Sequence, residues 1–248
     1  MLQTAKASTQ KLFTGTSGWA YPTWKPDFYP KTVPSKKFLE YYATQLNSVE
    51  VNYTFRALPT AQQLENWLSA TLEGFRFSFK APQAITHFKR LKDCGDAVAL
   101  FLDALIPVRT ANRTGAVLFQ LPPNFKADAA RLRDFLALPA FDGSPQIAFE
   151  FRHESWFCEE IYSILSGKNV AVCIAENEDL VTPETFTADF SCYRLRMPGG
   201  YNASEIATFA KKFAEMSKQR EIYVYFKHED EPTGPLAATR MLQEARAL

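Results

Sequence analysis

Short runs of β-branched and aromatic residues recur along the whole chain, and most are followed by a loop and then by apolar residues at helical spacing. The short runs predict eight strands, at 12–16, 48–54, 75–80, 115–120, 146–152, 170–175, 192–196 and 221–227. The helical spacing predicts seven helices, at 35–46, 60–71, 93–106, 127–138, 159–166, 203–218 and 236–247. Between the sixth and seventh strands, 176–190 follows neither pattern.

This alternation of strands and helices is typical of parallel α/β proteins. Eight strands within 248 residues fit a (β/α)8 barrel better than a doubly wound sheet. The turn after the first strand, TGTSG at 14–18, is not a glycine-rich nucleotide turn, so the chain has no nucleotide-cofactor motif. Because no linker, repeat or shift in charge divides the chain, we expect one barrel domain at 12–248 after a flexible N-terminal segment at 1–11.

Composition narrows the classes of protein to consider. The 28 Lys and Arg residues against 27 Asp and Glu residues give a net charge of +1, which does not favour a globally basic nucleic-acid binder or a lipid-surface protein. The polar start and the lack of a long apolar stretch argue against a signal peptide or a membrane partner, so we expect a cytoplasmic protein. The four cysteines lack C-x-x-C spacing and are expected to be reduced, mostly buried thiols.

Polar residues late in the strands are the candidate site. If large apolar residues face the helices, alternation turns these polar residues toward the barrel centre, at the end where barrel active sites lie. The inward set is Glu50, Asn52, Lys80, Gln120, Glu150, Arg152, Arg194, Arg196 and Lys227. Its five cations exceed its two carboxylates by three. Because unpaired buried charge is costly, the surplus predicts an anionic, for example phosphorylated, ligand. The alternative is a structural network in which each carboxylate is held between cations.

Glu150 and Glu50 are the candidate acid–base pair, and His153 follows Glu150 closely enough to join them. The alternatives are that the carboxylates hold a divalent metal, for which the ligand pattern gives little support, or that they only orient the arginines. His87 and His228 follow the third and eighth strands, but no H-E-x-x-H motif is present. We therefore assign no metal ligand, and the cofactor stays unknown.

Aromatic residues are dense in two of the predicted mouth loops. Trp19 and Tyr21 follow the first strand and Trp156 follows the fifth, where they would form a stacking wall for a ligand or pack the loops onto the barrel. Basic residues beside His87 would extend the positive charge outward. Three functions follow: an enzyme on an anionic small molecule, a nucleic-acid-binding protein or phosphodiesterase, and a ligand-binding protein without chemistry.

Seven short motifs along the chain carry a resemblance: GTSGW at 15–19, VEVN at 49–52, FK at 79–80, TH at 86–87, FQLPP at 119–123, EFRH at 150–153 and SWF at 155–157. Together they resemble one family, the domain of unknown function 72, or YecE-like, family. The resemblance implies a TIM-like (β/α)8 barrel in a soluble, usually bacterial protein. It implies no established reaction. Comparison of the family with sugar isomerases and endonuclease IV-like barrels is analogy of fold, so a hydrolase and an isomerase are both left open.

The resemblance weakens toward the end of the chain. The family tends to carry histidine where this chain has Arg196, and Asn-Asn where it has Lys227 and His228. Both changes alter the charge of the mouth and leave open a substrate different from that of other members.

Overall fold

The computed structural model describes residues 11–176, 180–227 and 231–248. Except for Lys11, the expected N-terminal segment lies outside the described residues, and so does His228.

In the described part of the chain, eight strands form a single sheet in which all hydrogen-bonded neighbours are parallel. They are β1 (Leu12–Thr16), β2 (Ser48–Val51), β3 (Arg76–Lys80), β4 (Thr114–Gln120), β5 (Ile147–Glu150), β6 (Ala171–Ala175), β7 (Phe190–Leu195) and β8 (Glu221–Phe226). The order β1-β8-β7-β6-β5-β4-β3-β2 places the first and last strands side by side, as in a barrel. The predicted (β/α)8 fold is therefore confirmed.

The barrel closes where β1 meets β2. Here Ser17 and Glu50 form a parallel bridge, and the Gly18 amide donates to the Glu50 carbonyl at 2.9 Å. The strands are so close that a Cβ on Gly15 would lie 1.9 Å from the Ser48 carbonyl oxygen. Glycine at position 15 therefore permits this close approach.

Two side chains join β1 to β2 where backbone pairing is sparse. The Tyr42 hydroxyl accepts from the Thr16 amide at 2.8 Å and donates to the Ser48 carbonyl at 3.1 Å. The Asn47 side chain accepts from the Thr14 amide at 2.8 Å and donates to the first carbonyl of β1. Backbone groups at this junction are thus satisfied by side chains.

Helices connect the strands along most of the chain. Among the described residues they are α1 (Phe38–Gln45), α2 (Ala61–Ser69), α3 (Gly95–Ala104), α4 (Ile106–Thr110), α5 (Ala129–Leu136), α6 (Glu159–Ser166), α7 (Ala203–Ser217) and α8 (Thr233–Arg246). The predicted helix at 93–106 ends at Ala104, and a second, short helix begins at Ile106. Pro107 lacks an amide proton and fits the first turn of this second helix. No described helix is long and apolar enough to cross a membrane.

The core has two parts, one outside the strands under the helices and one within the barrel. Inside the barrel, Phe13, Leu118 and Tyr223 pack near the amino ends and middle of the strands. Above them the Tyr225 hydroxyl lies 2.7 Å from the Ser48 Oγ. The filled interior leaves the carboxyl ends of the strands to polar side chains.

Two strands end at least two residues earlier than predicted. β2 stops at Val51 and β5 at Glu150, and short 3-10 turns follow at Tyr53–Phe55 and Glu154–Trp156. The Thr54 hydroxyl donates toward the Val51 carbonyl and to the Lys80 carbonyl, so it fixes a turn where the pattern predicted strand. Thr54 therefore caps the end of β3.

Candidate functional site

Arg194, on β7, lies fully buried between two carboxylates. Its Nη2 donates to the Glu50 Oε1 at 2.8 Å, and its Nη1 donates to the Glu150 Oε2. The carboxylates come from β2 and β5, which are separated by two strands in the sheet order. The inward alternation predicted for these strands is confirmed, and the three residues form what we call the carboxylate–arginine cluster.

Two neutral side chains also donate hydrogen bonds to the cluster. The Ser17 hydroxyl donates to the Glu50 Oε1 and the Gln120 amide to the Glu150 Oε1, each at 2.8 Å. Within the described residues, the buried Glu50 Oε2 and Arg194 Nε have no hydrogen-bond partner. The cluster thus keeps one acceptor and one donor for a further group.

The cluster is ionised at neutral pH. Burial raises the pKa of both carboxyl groups, but the charge of Arg194 and the hydrogen bonds outweigh burial and hold each pKa below its usual range. The two carboxylates in turn raise the pKa of Arg194 although burial opposes this. The cluster carries one net negative charge, and neither carboxyl group has a proton to give as a general acid.

Three cations lie near the cluster at the carboxyl ends of the strands: Lys80, Arg152 and Arg196, which we call the cationic mouth. Each is half-buried, and none forms an ion pair with a carboxylate in the described part of the chain. Burial and then repulsion from Arg194 lower the pKa of Lys80 to about 8, although the two carboxylates act in the opposite direction. The Lys80 Nζ lies 4.1 Å from the centre of the Phe55 ring.

Positive charge at the carboxyl ends of the strands also contributes to the lowered pKa values of Arg196 and His87. Burial and then repulsion from Arg194 lower the pKa of Arg196. Burial, followed by repulsion from Lys80 and Arg152, lowers the pKa of His87. His87 also packs edge-on against Phe55, with ring centres 5.0 Å apart, so it borders the cationic mouth.

Three further predicted residues lie at the ends of the strands. Asn52 follows β2 directly, and its buried Oδ1 has no partner among the described residues. Lys227 follows β8, and its amide donates to the Leu195 carbonyl at 2.9 Å. His153 caps the turn after β5, where its Nδ1 accepts from the Ser155 amide at 3.2 Å. The described hydrogen bonds of His153 thus go to its own loop.

The prediction that Trp156 forms part of a stacking wall for a ligand is wrong. Its side chain is fully buried and stacks on Phe151 with ring centres 4.7 Å apart, and its Nε1 donates to the Phe125 carbonyl at 2.6 Å. The 3-10 turn after β5 folds the indole into the core, so Trp156 offers no face to a ligand.

Trp19 and Tyr21 are half-buried and belong to the loop after β1. Trp19 meets Trp67 edge-on, with ring centres 5.2 Å apart. The Tyr21 hydroxyl donates to the Ser17 carbonyl at 3.1 Å, and burial and then Glu50 raise its pKa. Tyr21 therefore supports the loop that holds the Ser17 hydroxyl against the cluster.

Sequence reasoning did not assign Ser17 or Phe55 to the site. Ser17 continues the inward alternation of β1 one residue beyond the strand, a signal that could have identified it. Phe55 approaches Lys80 only because the turn at Tyr53–Phe55 replaces the predicted end of β2. The sequence carries no local signal for that contact.

The described residues contain no group of three or more His, Cys, Asp or Glu side chains placed to hold a metal ion. Between Glu50 and Glu150 lies the guanidinium of Arg194. We therefore name no residue as a metal or cofactor ligand.

A family model described as "Protein of unknown function DUF72" matches residues 13–248. The chain belongs to this family. It is 34% identical over 150 residues to the UPF0759 protein YecE of Escherichia coli K12, and 30% identical over 155 residues to the UPF0759 protein YunF of Bacillus subtilis. These alignments cover 60% and 61% of this chain but only 51% and 54% of the relatives, so the chain matches about half the length of each.

Solved structures show the same fold. A DUF72 protein of Thermotoga maritima superposes with a TM-score of 0.81 at 23% identity, covering 95% of this chain and 99% of that one. A DUF72 protein of Enterococcus faecalis gives 0.79 at 18% identity, covering 95% of each chain. A family 2 AP endonuclease of Brucella melitensis gives 0.51 at 11% identity, covering 87% of this chain and 92% of that one. At these identities the likeness concerns the barrel fold alone.

Proposed function

We propose that this chain binds an anionic small molecule, bearing a carboxylate or a phosphate, at the carboxyl ends of the barrel strands. The observation that carries the proposal is the cationic mouth. Lys80, Arg152 and Arg196 have no carboxylate partner among the described residues, while the two nearby buried carboxylates are already paired with Arg194.

The charge of the site supports this proposal. Three mouth cations against the single negative charge of the cluster leave two positive charges. Repulsion from Arg194 contributes to the lowered pKa of Arg196, and a bound anion would relieve it. Guanidinium forks and a lysine ammonium are suited to carboxylate and phosphate oxygens.

The carboxylate–arginine cluster has a positioning role in this proposal. Glu50 and Glu150 fix the orientation of Arg194, whose charge acts on Lys80 and Arg196. The catalytic roles predicted for Glu50, Glu150 and His153 stay predictions, and we assign no reaction class. Of the chemical roles open to the carboxylates, the lowered pKa values favour a base over an acid.

The test is calorimetric titration with inorganic phosphate and with citrate. Arg196→Gln removes a mouth charge that has no ion-pair partner in the described part of the chain, so we expect at least about tenfold weaker binding, about 1.4 kcal/mol. The matched control is Arg109→Gln on α4, near the start of β4, where Arg109 donates to the Gly143 carbonyl. The control should bind as the wild type does. Absence of binding by the wild type, or equal binding by Arg196→Gln, would overturn the proposal.

The same cations are compatible with nucleic acid as the alternative partner, and salt dependence separates the two. A complex that neutralises several phosphates weakens steeply as salt rises, whereas a half-buried small-ligand site is less sensitive. Tighter binding of a single-stranded oligonucleotide than of phosphate, with a steep salt slope, would replace the small-molecule proposal. Anion binding without turnover of any screened substrate would leave a non-catalytic ligand-binding protein.

A further inference from the structure

Lys80 differs from the arginines of the cationic mouth because it carries an amine that can act as a nucleophile. It is the last residue of β3, and its carbonyl accepts from the Thr54 hydroxyl at 2.7 Å. The next amide, from Ala81, donates to the Leu118 carbonyl at 2.8 Å. These bonds hold the base of the lysine side chain at the carboxyl end of the barrel.

The surroundings of the Lys80 amine favour its neutral form. The amine is half-buried and forms no ion pair with a described carboxylate. The face of the Phe55 ring, whose centre lies 4.1 Å from Nζ, acts in the opposite direction, because it attracts the ammonium. Burial is the largest cause of the lowered pKa of Lys80, and repulsion from Arg194 and Arg196 adds to it. Attraction to Glu50 and Glu150 acts in the opposite direction but does not outweigh these causes. With a pKa of about 8, Lys80 is neutral near neutral pH to a much greater extent than an ordinary lysine.

We propose that Lys80 forms a Schiff base with an aldehyde or ketone that also carries a carboxylate or phosphate group. The proposal rests on the proposed function, because Arg152 and Arg196 would hold the anionic group while the carbonyl carbon meets the amine. It names the substrate class of the site as anionic carbonyl compounds.

The chemistry balances without a further reactant. The nitrogen lone pair forms a bond to the carbonyl carbon, the carbonyl π electrons move to oxygen, and a proton passes from nitrogen to that oxygen. The resulting carbinolamine loses its hydroxyl group with the second amine proton as water, which leaves a carbon–nitrogen double bond. A proton from solvent then gives the iminium, which withdraws electrons from the adjacent carbon.

Pyridoxal 5′-phosphate, an aldehyde with a phosphate group, is the probe, and borohydride reduction fixes the adduct. Intact mass and peptide mapping should show an adduct at Lys80 that forms at least about tenfold faster than at Lys89, an exposed lysine that donates to the Asp93 carbonyl. Pyridoxal, which lacks the phosphate, should show at least about tenfold less preference for Lys80 over Lys89, a ratio that cancels the closure of pyridoxal to its internal hemiacetal, and inorganic phosphate should compete. The labelling rate of Lys80 should reach half its maximum near pH 8, well below that of Lys89.

Two variants locate the adduct. Lys80→Arg keeps the charge and should abolish the fast adduct, whereas Lys89→Arg should retain it. Labelling of Lys80 no faster than Lys89 overturns the Schiff base, and an equal preference of pyridoxal for Lys80 over Lys89 overturns the anionic substrate class. If the wild type binds phosphate in the calorimeter but gives no fast adduct, only the Schiff-base proposal is overturned. If the wild type neither binds phosphate nor gives the adduct, the proposed function is overturned as well.

Discussion

Arg194 sets the charge balance of the site. Burying an ion pair gains little net stability against an apolar replacement, because desolvation offsets the attraction between the charges. Removing one partner is different, since it strands the other charge away from water. Arg194 has two partners, Glu50 and Glu150, so its loss would strand two carboxylates together.

Arg194→Met should therefore lower the free energy of unfolding at pH 7.5 by about 3–5 kcal/mol. It should also invert the pH dependence contributed by the cluster. In the wild type, the lowered carboxyl pKa values give stability that is present above about pH 4.3 and is lost as pH falls through the folded-state values. Without the arginine, burial raises those pKa values, so stability is present at low pH and is lost as pH rises.

Urea unfolding at pH 5 and pH 7.5 measures both effects. The loss in free energy of unfolding caused by Arg194→Met, measured against the wild type at the same pH, should be smaller at pH 5 than at pH 7.5. The control is Arg133→Met, which removes an exposed ion pair of 2.7 Å with Glu160 and should cost no more than about 1 kcal/mol at either pH. An Arg194→Met protein with the wild-type pH dependence would show that the carboxylates find other partners.

The junction of β1 and β2 is the element-scale feature that closes the barrel. Tyr42→Phe removes the hydroxyl that accepts from the Thr16 amide and donates to the Ser48 carbonyl, so both backbone groups lose a buried partner. We expect a loss of about 1–3 kcal/mol in the free energy of unfolding and faster hydrogen exchange at the Thr16 amide. Tyr41→Phe, on the same helix, is the control, because no side-chain hydrogen bond of Tyr41 is formed with the described residues. Unchanged exchange at Thr16 would contradict this role for Tyr42.

The strands were predictable because alternation and β-branched runs are local properties of the sequence. The end of β2 was not, because the turn that ends this strand depends on Thr54 reaching a carbonyl on β3. The start of α8 was missed for a related reason. Gly234 and Pro235 indicate a break in helix, yet they lie in its first turn, where proline is tolerated. A Cβ at Gly234 would lie 2.1 Å from the Lys227 carbonyl oxygen, so glycine lets α8 begin against the end of β8.

The residues that belong to the site were predictable in the same way as the strands. Inward alternation placed Glu50, Glu150 and Arg194 in one interior, and the structure brings them into contact. Which cation would lie between the carboxylates was not predictable, because this depends on the reach of side chains across the barrel. The prediction that Trp156 faces a ligand was wrong, because the turn that carries a loop aromatic decides whether its side chain is exposed or buried.

At the scale of the whole molecule, charge is distributed unevenly despite its near-neutral sum. The net charge of the chain is +1, while the cationic mouth and the cluster together carry two positive charges, so the rest of the chain sums to −1. Such a concentration of one sign at one end of a barrel raises the local concentration of anions there. Because an anion that binds the folded chain but not the unfolded chain shifts the folding equilibrium, stability reports binding at the mouth.

Phosphate at one hundred times its dissociation constant should stabilise the wild type by about 2.7 kcal/mol, which corresponds to a rise of about 5–10 °C in Tm for a chain of this size. Arg196→Gln, with a dissociation constant about tenfold higher, should keep only about half of that stabilisation, about 1.4 kcal/mol, whereas Arg109→Gln should keep all of it. Sodium chloride at equal ionic strength separates binding from screening, since screening alone weakens the repulsion among Lys80, Arg152 and Arg196 without occupying the mouth. If chloride raised the Tm of the wild type as far as phosphate does, the stabilisation would come from screening and the cationic mouth would not be a specific anion site.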